Sequence, residues 1–97
     1  MDIEFRSRRL RVRYEESAEA IRAWGPEVGR RYVQRIDALH AADRVQDLYE
    51  IRALDFHRLT GDRDGQFALR LTGQMRLILT VEHDRLVIVE EVVDYHG

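Results

Sequence analysis

The sequence predicts one small α+β domain over residues 1–97, with helices in the first half and a twisted antiparallel sheet in the second. Two observations carry this. Apolar residues recur at helical spacing as far as Leu39, and from Asp55 onward the period changes to two. The length of 97 residues suffices for one modest core and is too short for two.

Residues 2–6 alternate polar and apolar, which suits a short half-buried strand. Ser7 is placed to cap a helix on which Leu10, Tyr14, Ser17, Ile21 and Trp24 share one face. Gly25-Pro26 stops that helix, and Pro26 suits the first position of the next. There Val28, Tyr32, Ile36 and Leu39 form a second stripe. So short a connection predicts two antiparallel helices packed as a hairpin. Asp43-Arg44-Val45-Gln46 has the spacing of a capping box and predicts a short third helical turn ending near Tyr49.

The second half reads as strands. Gly61-Asp62-Arg63-Asp64-Gly65 is a strong turn signal, and Phe67, Leu69 and Leu71 then alternate with polar or small neighbours. Beyond Thr72-Gly73-Gln74 come Met75, Leu77, Leu79 and Val81, and a last strand spans Leu86 to Val93. A three-residue loop at 72–74 sets Leu71 against Met75, Leu69 against Leu77 and Phe67 against Leu79, all on the core side. The same register sets Arg70 opposite Arg76 on the other side, and like charges in facing positions destabilise a sheet. Two explanations stand. Either Glu91 faces Arg76, if a four-residue loop follows Val81, or both arginines await an anion.

Composition narrows the chemistry. There is no cysteine, so disulfides and thiolate metal sites are excluded. No apolar run reaches the length of a membrane span and no signal-peptide core is present, so the expected location is cytoplasmic, without membrane contact. All sixteen basic residues are arginine, which grips phosphate or carboxylate with a planar fork but is a poor proton acceptor. General-base work therefore falls to histidine, tyrosine or a carboxylate. The net charge of −2 does not announce a nucleic-acid binder, yet it is uneven. Residues 1–35 carry nine arginines against six acids, and residues 36–97 carry seven against twelve. Arg6, Arg8, Arg9, Arg11 and Arg13 form the densest positive stretch, which a solvated helix face explains more often than a binding patch does.

Three features could carry chemistry: Phe56-His57-Arg58-Leu59-Thr60-Gly61, Gly73-Gln74-Met75-Arg76-Leu77-Ile78, and Val93-Asp94-Tyr95-His96. Singly, each has a plain structural explanation. In this order and at these separations, from about Asp47 to His96, they resemble the HigB branch of the RelE/ParE toxin superfamily. The first 46 residues agree in architecture alone, a short strand followed by a helical hairpin. That resemblance implies a hairpin packed on one face of a curved antiparallel sheet, with the opposite face open as the active site. It implies the toxin of a type II toxin–antitoxin system, a ribosome-dependent mRNA endonuclease that needs no metal or other cofactor. Its implied partners are a HigA-like helix-turn-helix antitoxin, the ribosome and mRNA.

Residue chemistry agrees with that expectation. Metal-free RNA cleavage needs a base, an acid and positive charge near the developing oxyanion. His57 and His96 are candidates for proton transfer, with their individual roles open. Arg76 can hold a phosphate bidentately, and Arg70, Arg58 and Arg63 are candidates to help bind RNA. Tyr95 can stack on a base or orient the nucleophile, and Asp94 can set a histidine tautomer. The chain departs from the family pattern at Thr60, where lysine is common, and at Met75, where tryptophan is frequent. It is also mildly acidic, whereas these toxins are usually basic. Two alternatives follow: a ParE-like inhibitor of DNA gyrase, and a catalytically weak protein-interaction module of the same fold.

Overall fold

The hairpin around Thr72-Gly73-Gln74 forms in the register that its apolar alternation demands. In the computed structural model, which describes residues 1–94, Phe67 faces Leu79, Leu69 faces Leu77 and Arg70 faces Arg76. Five strands make one sheet: β1 (Asp2–Phe5), β2 (His57–Arg58), β3 (Gln66–Arg70), β4 (Met75–His83) and β5 (Leu86–Asp94). Their spatial order is β1-β5-β4-β3-β2. The pairs from β2 to β5 are antiparallel, as expected, but β1 runs parallel to β5. The N-terminal strand therefore enters the sheet as a neighbour of the last strand. A parallel partner far away in sequence leaves no local turn signal to read.

One sheet face is covered by two helices, α1 (Arg8–Glu15) and α2 (Ser17–Ala41). Ser7 caps α1 as expected, its Oγ accepting from the Leu10 N–H at 3.2 Å. The expected single helix from Ser7 to Trp24 is broken, however, because Glu16 turns extended (φ −125°, ψ 95°). A continuous helix would keep Ser17 on the buried stripe; after the break Ala20 is fully buried instead. At Gly25 the backbone takes φ 85°, ψ 167°, which favours glycine, and Pro26 restarts the helix in the reverse direction. The predicted hairpin is thus made inside α2.

Hydrogen bonds and rings fix the helices to each other. The Tyr32 hydroxyl donates to the Leu10 carbonyl at 2.6 Å, and burial pushes its pKa up strongly. Trp24 packs on Tyr32 with ring centroids 4.7 Å apart, while Arg13 covers the Trp24 ring at 4.9 Å. Tyr14 donates to Asp37 at 2.6 Å, which raises its pKa to about 12. Below them Ile36 and Leu39 meet Leu69, Leu71, Leu77, Leu79, Val87 and Val89 in one core. Each fully buried Leu or Ile contributes roughly 1.5–3 kcal/mol.

Two further expectations are corrected. The capping box lies one residue later, the Asp47 carboxylate accepting from the Arg44 N–H at 3.2 Å, and the turn it opens is a 3₁₀ helix over Val45–Glu50. Glu91 does not face Arg76. Register shifts at Ile78/Leu79 and Val81/His83 set Val93 opposite Arg76 and Glu91 opposite Ile78. Glu90 is the extra residue at the first shift, so Glu90 and Glu91 both leave the core side.

Gly29 is where the two arms of the hairpin cross most closely. A Cβ there would stand 2.7 Å from the Ile21 nitrogen and 2.8 Å from the Ala20 carbonyl carbon, both backbone atoms that cannot swing aside. Gly29→Ala should therefore destabilise the fold by about 1–3 kcal/mol through overpacking. This outweighs the gain of about 1 kcal/mol in helix propensity. Denaturant unfolding of the two proteins measures the difference.

Candidate active site

Strand alternation decides which candidates share the uncovered face. His57 stands opposite Ala68, Ala68 opposite Ile78, and Ile78 opposite Glu91. Ala68 and Ile78 pack with Leu59 and Val93 in a small cluster separate from the main core. His57, Arg70, Arg76, Thr80, Glu90 and Glu91 therefore lie on the face that the helices leave open. Arg58 stands opposite Phe67, a core-side residue, and so points to the helix side at the sheet edge. Asp94 pairs with Met75, on the same side as Arg58. Tyr95 and His96 lie outside the described residues.

His57 is held in a defined orientation. Its Nδ1 is 2.7 Å from the Asp55 carbonyl oxygen. A carbonyl can only accept, so Nδ1 carries the proton and the neutral ring presents Nε2 as its basic nitrogen. Asp55 is the one non-glycine residue with positive φ among those described (φ 46°, ψ 46°). Its carboxylate also takes Arg70 Nη2, at 3.4 Å.

Each of the open-face arginines has a partner among the described residues. Arg76 is only 8% exposed, and its Nη1 donates to the carbonyls of Thr72 (2.7 Å), Met75 (3.1 Å) and Gly73 (3.4 Å). It braces the β3–β4 turn. Arg70 leans on Asp55, and Arg63, from a 3₁₀ turn at Gly61–Arg63, donates to Gln66 at 3.0 Å and Glu91 at 3.1 Å. These partners offset the like charges that the register sets opposite each other. On the β1 side Arg6 forms a two-point pair with Glu90 at 2.9 and 2.8 Å, while Thr80 Oγ1 donates to Glu90 at 2.7 Å.

Several of these parts escaped the sequence. Asp55 and Arg35 are the main ones. Arg35 reaches from α2 to the Arg70 carbonyl at 2.9 Å and the Ala53 carbonyl at 3.3 Å, and burial lowers its pKa. Asp in a turn before a strand is a recognisable left-handed signal; Arg35 gives none. Arg6, Arg8 and Arg11 line a different feature, a groove of about 550 Å³ with Phe5, Tyr14 and His40, next to β1 and distant in the strand order from His57 on β2. Among the described residues no group of three or more His, Asp or Glu could hold a metal ion. No helix there is long and apolar enough to cross a membrane.

Two outcomes follow from the pairings. Arg76→Gln should lower stability by about 1–3 kcal/mol, since partly buried turn carbonyls lose a charged donor; denaturant titration reads this. Glu90 is held below the usual carboxylate range by hydrogen bonds from Arg6 and then Thr80 and by the Arg6 charge, against the opposing effect of burial. A depressed carboxyl contributes stability above its unfolded pKa and loses it as pH falls through the folded value. Below about pH 4 the parent should therefore lose stability more steeply than Glu90→Gln, as seen in thermal melts across acid pH.

Comparison with known proteins follows this geometry. The fold is similar to a YafQ variant from E. coli (TM-score 0.65, 16% identity, 96% of this chain and 91% of that one). It is similar to a YoeB/ParE toxin from Agrobacterium tumefaciens (TM-score 0.58, 16% identity, 99% and 100%). A third likeness is to a chain of the YoeB-YefM complex from Staphylococcus aureus (TM-score 0.54, 19% identity, 100% and 98%). No curated protein sequence matches the chain. Residues 3–96 match the family described as RelE-like toxin of type II toxin-antitoxin system HigB, and with nearly the whole chain matched, this protein belongs to that family of toxins.

Proposed function

We propose that this chain is a toxin that cleaves mRNA on the ribosome without a metal ion, and that an antitoxin silences it. The observation that carries the proposal is His57 on the open sheet face, with Nδ1 committed to the Asp55 carbonyl and Nε2 left for proton transfer. Cleavage would proceed by attack of a 2′-hydroxyl on the adjacent phosphorus, expelling the 5′-oxygen and leaving a cyclic phosphate. Neutral His57 can accept the 2′-proton at Nε2; protonated, it can donate to the leaving oxygen there. His96 would supply the complementary step. Arg76 and Arg70 would bring positive charge to the phosphate, and Arg63 would hold the strand beyond it. Tyr95 would stack on a base or orient the nucleophile, and Asp94, placed on the helix side by its pairing with Met75, would orient a histidine only around the end of β5. Arg58, on the sheet's helix side, would meet RNA or ribosome only around the edge.

The partner reading rests on the family and on one neighbour, whose title names a YoeB-YefM complex. A small antitoxin encoded beside this chain, of the helix-turn-helix kind, would cover the open face or bar it from the ribosome. Both would act in the cytoplasm. A second reading, a weak enzyme that chiefly binds its partner, is favoured by the acidic partners already occupying Arg6, Arg63 and Arg70.

One induction experiment separates these readings. Expressed without an antitoxin, the parent should arrest growth, and transcripts should be cut only where they are translated. His57→Ala should cut about a hundred- to ten-thousandfold more slowly, the usual range for lost acid–base catalysis. Coexpression of the neighbouring gene should restore growth. Intact transcripts with accumulating DNA breaks would establish gyrase inhibition instead, and intact transcripts and DNA would leave the binding module.

A further inference from the structure

The strongest unexplained feature of the molecule is Asp55. It holds a left-handed backbone without being glycine, and it bonds two candidate site residues through two different groups. We propose that Asp55 is a positioning residue: its left-handed backbone fixes the His57 tautomer and its carboxylate sets Arg70. The proposal rests on the ribonuclease reading for its consequence, but its geometry belongs to the free protein.

Asp is among the few non-glycine residues that tolerate φ near +50°. At Asp55 the turn Arg52–Leu54 ends, the carbonyl of its first residue, Arg52, accepting the Asp55 N–H at 3.1 Å. The reversal does two things at once. It lets Phe56 enter the core, stacked on Phe67 with centroids 5.2 Å apart, and it aims the Asp55 carbonyl back at the imidazole two residues on. Strain persists at a site only where its surroundings over-determine it. Here Arg35 supplies a restraint, reaching from α2 to the Ala53 carbonyl in the turn before Asp55 and to the Arg70 carbonyl on β3, so that the turn is clamped to the strand.

The chemistry follows from that clamp. Imidazole in water prefers the proton on Nε2, which would leave the lone pair on Nδ1, turned toward its own backbone. The Asp55 carbonyl reverses the preference and gives Nε2 the lone pair on the open face. Arg70 receives the opposite kind of control: an exposed carboxylate contact that holds its guanidinium beside β2 without burying it. One residue therefore spaces the candidate proton acceptor and a candidate phosphate ligand.

Three variants divide the two tasks. Asp55→Gly and Asp55→Asn keep the left-handed backbone and lose the charge; Asp55→Val, β-branched, opposes that backbone. The primary measurement is the ¹⁵N imidazole spectrum of His57 in the free protein at a pH where the ring is neutral. The parent, Gly and Asn proteins should show Nδ1–H, and Val should move toward Nε2–H. In translation-coupled cleavage assays Val should lose roughly a hundredfold in kcat, the cost of a misplaced reacting group. Gly and Asn should keep kcat and lower KM, since Arg70 then meets the phosphate without a competing carboxylate. An Nε2–H ring in the parent overturns the proposal outright, whether or not Asp55→Val folds. So does a Gly or Asn protein that loses the Nδ1–H state. If the parent holds Nδ1–H yet never cuts RNA, the ribonuclease reading fails while the positioning role stands.

Discussion

Everything on this sheet depends on the pairing of β3 with β4, Phe67 against Leu79 and Leu69 against Leu77. Because side chains alternate faces with a period of two, a one-residue slip of β3 would drive Arg70 into the core and Phe67 and Leu69 into water. Burial of Leu69, Leu71, Leu77 and Leu79 fixes the register by several kcal/mol. The open face is thus a consequence of the core. Once the leucines are committed, Ala68, Arg70, Arg76 and Ile78 have only one side left to occupy, and the chemistry is confined to what they and their neighbours can do.

The constraint reaches β5 through an irregularity. Val87 and Val89 pack into the core, and so does Val92, but strict alternation from Val89 would turn Glu91 inward. An unpaired carboxylate in that core would cost far more than a distorted ladder. The bulge at Glu90 admits the extra residue and sends both glutamates to the open face, where Arg6 and Thr80 meet one and Arg63 meets the other. A local interruption of the ladder therefore supplies two of the three carboxylates that neutralise the face.

Much of this was legible in the sequence, for identifiable reasons. The β3–β4 register follows from two apolar alternations joined by a loop of fixed length, and the hairpin break at Gly25-Pro26 from the stereochemistry of those two residues. The motif residues on the face, His57 and Arg76, were visible through family resemblance. The misses have equally physical causes. Glu16 interrupts a helix with no Gly or Pro to announce it. The parallel pairing of β1 with β5 spans the chain. The Val-Glu-Glu-Val interruption at 89–92 signals a bulge, since one glutamate must otherwise point inward, but a regular loop after Val81 fits the same residues. Arg35 and Asp55 act through backbone carbonyls and a backbone dihedral, and a side-chain pattern does not encode where a carbonyl points.

The four arginines associated with this face divide into fixed and movable charges, and the division matters more than their number. Arg76 is bound to turn carbonyls and nearly buried, so moving it would strand acceptors at a cost of about 1–3 kcal/mol. Its charge keeps one place. Arg63 and Arg70 are bound by half-exposed carboxylates, with side-chain exposures of 36% and 49%, and contacts of that kind hold by no more than about 1 kcal/mol. An RNA phosphodiester, which like either carboxylate carries a single charge on two equivalent oxygens, can exchange for Glu91 or Asp55 at little expense. The acidic partners thus lower the affinity of the free face for indiscriminate anions, which a net charge of −2 reinforces, without closing it to a polyanion presented at close range. On the proposed function such a face would discriminate by delivery: a phosphate held against it by a larger assembly would displace the carboxylates, whereas one diffusing alone would gain little over the partners already there.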